Sequence, residues 1–540
     1  MDQKTQKLTF AEKTGYAFGD AASNLFWMTF IYFQSKFYTD VFFYTPDAAL
    51  ERSLLEKLAA LLLLTRVFDM VFDLFMGVLG DRTRTRWGKF RPYLLWFAVP
   101  FGIISTLTFT TPSFSPNGKL IYAYITLCLM MMVYSAINIP YSALMGVISP
   151  DSQERTSVAS YRFAFAFGAG LVVQYSTLYL VDYFGRVKPE MGGVLLAAAK
   201  AHGYQLTMGI YAVAATALFF LTFALTKERV QPAQDESSTK NDMKDLIIFM
   251  SRLFIYSLII IGTIYIMKIS HMRILYVILV FLSYILIFLF MRRRDQQVKK
   301  ESSLKKDLKN LATNVPWLIL FFTGTLTVCS VAIRSGAILY YFQYYVGNEK
   351  LAASFMVAGT LLSLLGTIAI QHVTRFAGRK VTYIGLAALG SVFLVVSYWV
   401  RPEQIALMFV FQVLYSAVTG PTSAVLWAMF ADSADYSEWR TGRRATGVIF
   451  SAAGMSTKLG WAIGGPITVW MLASFGYQAS VAQTPHALHG ILLLFTVIPA
   501  SGFLLTGLGM IFYPLNEARM KKIQGELQAR QAIGESVHTA

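Results

Sequence analysis

The chain has 540 residues, of which 55% are hydrophobic and only 14% are charged, with a mean hydropathy of +0.51. Soluble domains carry about 25% charged residues, so this composition excludes an ordinary soluble protein. The formal net charge of +17 comes from basic residues between the apolar runs. That placement follows the positive-inside rule and argues against nucleic acid as a partner.

Apolar runs long enough to cross about 30 Å of hydrocarbon recur along the chain. They predict an all-α integral membrane protein of about 14 spanning helices, or about 12 if an extra pair does not cross. Predicted spans begin near Gly15, Leu54, Tyr93, Leu120, Thr156, Tyr204, Trp317, Ala352, Thr382, Ile405, Thr446 and His489. The extra apolar runs Leu246–Met267 and Ile274–Met291 predict a two-helix hairpin between the two sets of six.

The charge pattern predicts four regions. These are an N-terminal six-helix bundle (1–230), cytoplasmic linkers with the two extra helices (231–310), a C-terminal six-helix bundle (311–518) and a cytoplasmic tail (519–540). The basic runs Arg82–Arg91 and Arg375–Lys380 follow the second span of each half, as expected for two repeats. The pattern favours a bacterial inner membrane with both termini in the cytoplasm.

The second predicted span carries three charges on one helical face. Arg66, Asp69 and Asp73 stand at positions i, i+3 and i+7. A charge at the bilayer centre costs at least about 2.5–3.5 kcal/mol, so this face is expected to look inward. Repulsion between the two acids is relieved by Arg66, by a bound cation or by a proton. The last two options are coupling mechanisms, and the alternative is a structural Arg–Asp cluster.

Polar side chains in two other spans are candidates for substrate binding. Asn24 precedes Trp27 in the first span, and an amide beside an indole suits a sugar, which has hydroxyl edges and an apolar face. Ser135 and Asn138 precede Pro140 in the fourth span, where proline frees a backbone carbonyl and kinks the helix. The alternative role for these polar groups is hydrogen bonding between helices.

Two single cations lie within later apolar runs, Arg162 in the fifth span and Lys458 in the eleventh. Each is expected either to neutralise the acid pair or to bind a substrate oxygen, while snorkelling to the interface is the alternative. The histidines lie scattered near span ends, and no nucleophile–base pair, metal spacing or phosphate loop appears in the spans. The sequence therefore predicts neither an enzyme nor a bound cofactor.

Several motifs resemble one transporter family. The second span and its loop, RVFDMVFDLFMGVLGDRTRTRWGKFRP, resemble the signature of the glycoside–pentoside–hexuronide:cation symporters. This is the melibiose permease group of the major facilitator superfamily. FYTDVF, INIPYSAL and ADSADYSEWRTGRRATG extend the resemblance over nearly the whole chain outside about residues 231–310.

The resemblance implies a twelve-helix facilitator core with a central sugar site. It implies that Asp69 and Asp73 form the cation site with help from Ser135. It also matches Lys458 and Arg162 to the family's eleventh-span lysine and fifth-span arginine. A charge network that gates transport is expected to include Arg66, Asp81, Arg82, Asp435 and Arg443.

Two departures from the family pattern bear on substrate and ion. Asn24 and Asn138 stand where several members have acids that hold sugar hydroxyls, so a different glycoside, a pentoside or a hexuronide is expected. Phe72 stands where many relatives have Asn, and Leu74 where they have Pro. Losing an oxygen ligand weakens a sodium cage, so H⁺ is at least as good a candidate as Na⁺.

The expected function is cation-coupled symport of a small sugar, glycoside or hexuronide by alternating access. The alternatives are a cation-coupled carrier of another cargo, such as a lysolipid, and a membrane sugar sensor without transport. The expected partners are the sugar and membrane lipids, and the protein is expected to act as a monomer.

Overall fold

The computed structural model describes residues 7–149, 152–229, 310–442 and 446–539. Within these ranges every regular element is a helix, apart from one isolated bridge between Thr85 and Gly88. Eight of the described helices are long and apolar enough to cross a membrane. The chain is thus a multi-pass membrane protein. The extra apolar pair lies outside the described residues, so the hairpin and the count of 14 stay predictions.

The first six helices form an N-terminal bundle. They are α1 (Phe10–Phe37), α2 (Ala48–Arg82), α3 (Arg91–Thr108), α4 (Pro116–Val147), α5 (Ser152–Gly185) and α6 (Gly193–Leu225). Within this bundle α1 packs against α5 and α6, and α3 packs against α4 and α6.

The next seven helices form a C-terminal bundle. They are α7 (Val315–Tyr340), α8 (Leu351–Ala377), α9 (Arg379–Ser397), α10 (Ile405–Thr441), α11 (Thr446–Ser474), α12 (Pro485–Phe495) and α13 (Val497–Ile511). In this bundle α7 packs against α11 and α13, and α8 packs against α10. A last helix, α14 (Glu517–Thr539), packs against α10.

Helix ends follow local side-chain chemistry. Thr9 caps α1 in a capping box with Glu12, and the Asp47 carboxylate accepts from two backbone N–H groups at the start of α2. Gly378 separates α8 from α9 with a φ of 76°, a conformation that side chains disfavour. The caps Thr9 and Asp47 lie outside the apolar runs, which explains why α1 begins before Gly15 and α2 before Leu54.

The last predicted span is interrupted. Its two parts, α12 and α13, meet at Thr496, whose backbone leaves the helical region with φ −123° and ψ −79°. Pro499 has no N–H and its ring crowds the carbonyl of residue 495, so the helix cannot continue unbroken. The Thr496 hydroxyl donates to the carbonyl of Leu492 at 2.6 Å and thereby supports the break.

The two bundles meet unevenly along their length. We call the end where α1 begins and α13 ends the proximal end, and the opposite end the distal end. One buried apolar cluster continues from the N-terminal bundle into the distal halves of α7, α8 and α11. The proximal half of the C-terminal bundle has its own cluster, built around Trp317 and Phe430. The shared core therefore holds the bundles together at the distal end.

A carboxylate after α6 organises the basic turn between α2 and α3. Glu228 accepts from the backbone N–H groups of Lys89, Phe90 and Arg91 at 2.9, 2.7 and 3.0 Å. Gly88, with φ 110°, comes so close to this carboxylate that a side chain there would collide with it. Free N–H groups at the start of α3 are thereby satisfied by a charged acceptor.

We expect Glu228→Ala to lower the melting temperature of the protein by a few degrees. Three partly buried backbone N–H groups would lose their acceptor, at a total cost of about 1–3 kcal/mol in the free energy of unfolding. Thermal unfolding in detergent, followed by size-exclusion chromatography, measures this. Lys227→Ala, at an exposed neighbouring side chain, is the control and should unfold like the parent. Equal stability of both variants would contradict a structural role for the carboxylate.

Candidate functional site

A buried ion-pair cluster joins the two bundles at mid-height, where α2 packs against α11. The Lys458 ammonium forms an ion pair with Asp73 and lies 3.7 Å from Asp69 Oδ2. The Asp69 and Asp73 side chains are only 6% and 14% exposed, and the lysine is 37% exposed. The cation that neutralises the predicted acid pair is thus supplied by the opposite bundle.

The two acids differ in their remaining hydrogen bonds. Ser135 on α4 donates its hydroxyl to Asp69 Oδ1 at 2.8 Å, so Asp69 has a partner on each oxygen. Asp73 Oδ1 is buried without a hydrogen-bond partner in the part of the chain that the structure describes. Buried carboxylate oxygens normally have partners, so this one is an unpaired acceptor in the cluster. Among the described residues no group of three or more His, Cys, Asp or Glu could hold a metal.

Arg66 shares the face of the acids but lies on aromatic rings. Its guanidinium carbon is 4.3 Å from the centre of the Phe30 ring and 5.1 Å from that of Trp27. Trp27 in turn stacks on Tyr134 of α4 with ring centres 5.2 Å apart. The cation–π contacts hold Arg66 beside the acids. The direct ion pairs that neutralise the two carboxylates come from Lys458.

A second buried ion pair lies within the N-terminal bundle. Arg162 Nε is 2.6 Å from Asp20 Oδ2, and the guanidinium lies over the Tyr141 ring at 5.4 Å. Asn24, one turn from Asp20, uses its amide N–H₂ to donate to the Asp20 carbonyl at 2.8 Å. Arg162 therefore pairs with Asp20, a residue that the sequence analysis missed although an acid in an apolar run is a readable signal.

Asn138 lies one turn from Tyr134 on the same face of α4, and the two side chains share a hydrogen bond. Its side chain is half-buried, like those of Asn24 and Trp27. The N-terminal bundle thus brings together the polar and aromatic candidates Asn24, Trp27 and Asn138 with the Asp20–Arg162 pair. Sugar binding requires hydrogen-bond donors and acceptors for hydroxyl groups and an aromatic ring for the apolar face of the sugar, and this region contains both kinds of group.

At the distal end, Asp40 connects the bundles through hydrogen bonds. Its carboxylate accepts from Tyr344 at 2.8 Å and from Tyr477 at 2.5 Å, both in the C-terminal bundle. Lys36 on α1 pairs with the same carboxylate at 2.6 Å. We call Lys36, Asp40, Tyr344 and Tyr477 the distal latch. The spacing of Lys36 and Asp40 at i, i+4 was a readable pair that the sequence analysis passed over.

Local backbone geometry places the latch. Residues Tyr38–Phe42 and Tyr341–Tyr345 each form a π-helical turn directly after α1 and α7. In both turns an N–H bonds the carbonyl five residues back, from Phe43 to Tyr38 and from Val346 to Tyr341, at 3.0 Å. Such turns often occur at functional sites.

Further bonds between the bundles accompany the latch. Lys200 on α6 pairs with Glu349 at 2.8 Å, and Glu51 on α2 accepts from the backbone N–H of Ala479 at 2.7 Å. Closer to the middle, Thr360 on α8 donates to the Gln174 side chain on α5 at 2.8 Å. The distal end is therefore closed by polar bonds around an apolar core.

The structure describes only some of the charged residues that were predicted to form a gating network. Asp81 and Arg82 lie at the proximal end of α2, where their side chains are not described, and Arg443 lies outside the described residues. Asp435 lies on α10 one turn after Asp432, which forms an ion pair with Arg379 at the start of α9. Their part in a gating network stays a prediction.

Arg334 on α7 is a buried cation that the sequence analysis also missed. It is 5% exposed, donates to the Gln412 side chain at 2.7 Å and lies over the rings of Tyr415 and Phe495 at 4.2 and 4.5 Å. An arginine in an apolar run was a readable signal. Its amide and aromatic partners, on α10 and α12, were not.

The fold and the central charges define a secondary transporter of two helical bundles around a buried site. A family model described as MFS/sugar transport protein matches residues 15–267 and 246–517. The chain belongs to this sugar-transport family of the major facilitator superfamily, as a symporter resembling the glycoside–pentoside–hexuronide:cation group. The resemblance noted from the motifs is thereby confirmed.

Individual relatives agree. A protein of Escherichia coli (strain K12) named "Putative glycoside/cation symporter YagG" is 32% identical over 99% of this chain and 98% of its own. The isoprimeverose transporter of Lactiplantibacillus pentosus is 29% identical over 97% and 92%. The crystal structure of a D-xylose-proton symporter, 12% identical, covers 93% of this chain and 96% of its own with a TM-score of 0.52, a likeness of fold.

We expect Tyr477→Phe to weaken the distal latch, since it removes one hydrogen bond to Asp40 and keeps the ring. Spin labels at Ser113 and Glu403, in exposed distal loops of the two bundles, report the separation by pulsed electron resonance. The variant should gain a population at longer distance.

The labelled proteins carry alanine in place of Cys128 and Cys329. Tyr345→Phe is the matched control, because that hydroxyl bonds Val400 within the C-terminal bundle at 3.3 Å. Identical distance distributions for both variants would show that the tyrosine does not hold the distal end closed.

Proposed function

We propose that the protein is a cation-coupled symporter that carries a small sugar or glycoside across the bacterial inner membrane by alternating access. The observation that carries this proposal is the Lys458 ammonium between Asp69 and Asp73 at the contact of α2 with α11. Transport, symport and a small sugar agree with the family and with the names of its relatives.

The coupling site comprises Asp69, Asp73 and Ser135. In the state seen here the lysine ammonium occupies the position that a coupling cation would take. A Na⁺ ion or a proton that binds the open Oδ1 of Asp73 competes with the ammonium, which pairs with Oδ2, for the charge of the same carboxylate. Binding of the ion therefore releases Lys458, and the bond between the bundles becomes weaker.

The released lysine links the ion to the sugar. An ammonium without a partner in a membrane interior is costly, at about 2.5–3.5 kcal/mol or more. Hydroxyl oxygens of a bound sugar can accept from it and remove that cost. A protein carrying only the cation thus keeps an unpaired ammonium and does not reorient easily, whereas the protein with both ligands does.

The sugar site lies beside the coupling site. We assign it to Asn24, Trp27, Asn138 and Arg162, with Lys458 from the other bundle. Asn24 has donated its amide to the helix backbone, so its oxygen remains to accept a hydroxyl. Arg162, neutralised by Asp20, offers its remaining N–H groups to sugar oxygens without adding net charge.

Alternating access follows from the uneven contact of the bundles. The state seen here has the distal latch formed and a shared distal core. Basic residues gather in the proximal turns, so we assign the proximal end and both termini to the cytoplasm. Opening of the latch and closure of the proximal end gives the opposite state. Neither a lysolipid cargo nor a sensor role is favoured by the relatives' names.

Asp73→Asn is expected to abolish accumulation of sugar against a gradient, because an amide neither takes a proton nor balances a cation. Downhill exchange should persist. The measurement is sugar uptake into proteoliposomes with Na⁺ and H⁺ gradients imposed separately, on glycosides, pentosides and hexuronides. The gradient that drives uptake in the parent identifies the ion.

Asp47→Asn serves as the control for the acid substitution. Asp47 caps the same helix, and asparagine caps equally well, so uptake should not change. Full accumulation by the Asp73 variant would refute coupling at this acid. No driven uptake of any sugar by the parent would refute the proposed function.

Lys458→Ala is expected to reduce transport at least tenfold while folded protein remains in the membrane. The two acids lose their ammonium partner, and a bound sugar loses a charged donor. Uptake per folded molecule, judged by size-exclusion chromatography, measures the loss. Lys458→Arg keeps the charge and should retain part of the activity. Uptake equal to the parent by the alanine variant would contradict this role.

A further inference from the structure

A small cavity lies between the ion-pair cluster and the distal latch. Its volume is about 30 Å³, and it forms where the four central helices α1, α2, α7 and α11 meet. Arg66, which lines it, also interacts with Asp69, so the cavity continues the site toward the distal end.

Two donors in the polar wall of the cavity have few acceptors or none. Gln34 is 4% exposed, and its amide nitrogen has no hydrogen-bond partner among the residues that the structure describes. The Arg66 guanidinium has only the Met131 sulfur, at 3.8 Å, as an acceptor in the described part of the chain. A buried donor without an acceptor costs about 1–3 kcal/mol, so the Gln34 amide, beside the weakly bonded Arg66 guanidinium, points to a ligand oxygen in this cavity.

The opposite wall is kept open by a glycine. Gly465 on α11 lines the cavity, and a Cβ added there would meet nothing within 4 Å. Its neighbour Gly464 is different, since a Cβ there would lie 2.5 Å from Ala332. Close packing of α11 on α7 explains why residue 464 is a glycine. At Gly465 a side chain would fit, and the glycine there leaves space in the cavity.

The size of the cavity limits what enters it. One water needs roughly 10–15 Å³ by this measure, so about 30 Å³ holds two atoms of that size. A carbon atom bearing a hydroxyl has this size and presents an oxygen to the donors. A whole sugar ring does not fit in the latched state.

We propose that this cavity is a specificity subsite that receives the hydroxymethyl group of a hexopyranoside. Gln34 and Arg66 donate to its oxygen, and Gly465 leaves room for its carbon. The inference rests on the proposed sugar transport and adds a preference for hexosides over pentosides. A substrate without the group leaves the donors unpaired when the latch closes.

Three methyl glycosides that differ only at this group test the proposal: the glucoside, the 6-deoxyglucoside and the xyloside. Each is used as a competitor of uptake into proteoliposomes containing the full chain. The parent should bind the glucoside roughly tenfold more tightly than either analogue, since a lost hydroxyl or methylene commonly costs this much. Equal inhibition by all three would overturn the subsite without any variant.

Two variants separate hydrogen bonding from space. Gln34→Leu keeps the volume and removes the donor, so the glucoside should lose most of its roughly tenfold advantage over the 6-deoxyglucoside. Gly465→Ala fills the cavity, so both hexosides should weaken several-fold relative to the xyloside. Gly454→Ala is the matched control, since Gly454 also has open space on α11 but does not line the cavity.

The outcomes distinguish this inference from the proposed function. If the parent takes up sugars under a cation gradient but both variants change all three inhibition constants alike, the cavity is structural and the subsite is refuted. If the parent takes up no sugar under either gradient, the proposed function fails and the subsite fails with it.

Discussion

An ammonium group from one bundle, held between two carboxylates of the other, is the interaction on which the central arrangement depends. Asp69 and Asp73 are largely buried and Lys458 is partly buried, and removing any one of them would leave the others without a charged partner. Their pairing therefore fixes how α2 faces α11. In the proposed transport cycle a competing cation undoes the same pairing, because a carboxylate can bind a metal ion or a proton in place of an ammonium. The proposed coupling site is thus also a structural contact between the bundles.

The distal closure combines two kinds of contact with different consequences. The apolar core shared by both bundles stabilises their contact through burial, which does not depend on the direction of individual contacts. The latch around Asp40 consists of hydrogen bonds, which require particular partners and geometry. Polar groups such as Tyr344 and Tyr477 can exchange their bonds for water when the end opens. A closure made only of apolar contacts would open at a larger cost. The mixture suits an interface that has to form and separate repeatedly.

Much of the site was predictable because spacing and hydropathy report on single helices. The face of Arg66, Asp69 and Asp73 follows from helical periodicity, and Lys458 stands out as a charge in an apolar run. What spacing cannot report is which distant helix supplies a partner, so the pairing of Arg162 with Asp20 went unpredicted. Helix ends were predicted less well than apolar centres, because capping side chains extend helices into polar sequence.

The paired π-helical turns after α1 and α7 have a consequence for how the two halves should be aligned. A π turn accommodates one more residue than an α turn, as an insertion into a helix would. The same insertion at the same place in both halves is simplest if it preceded a gene duplication. Deleting one residue from either turn would convert it to an α turn and leave the residues that follow it in register. The side chains inside the turn would change direction, so Asp40 in the first half, or Tyr344 in the second, would lose its partners.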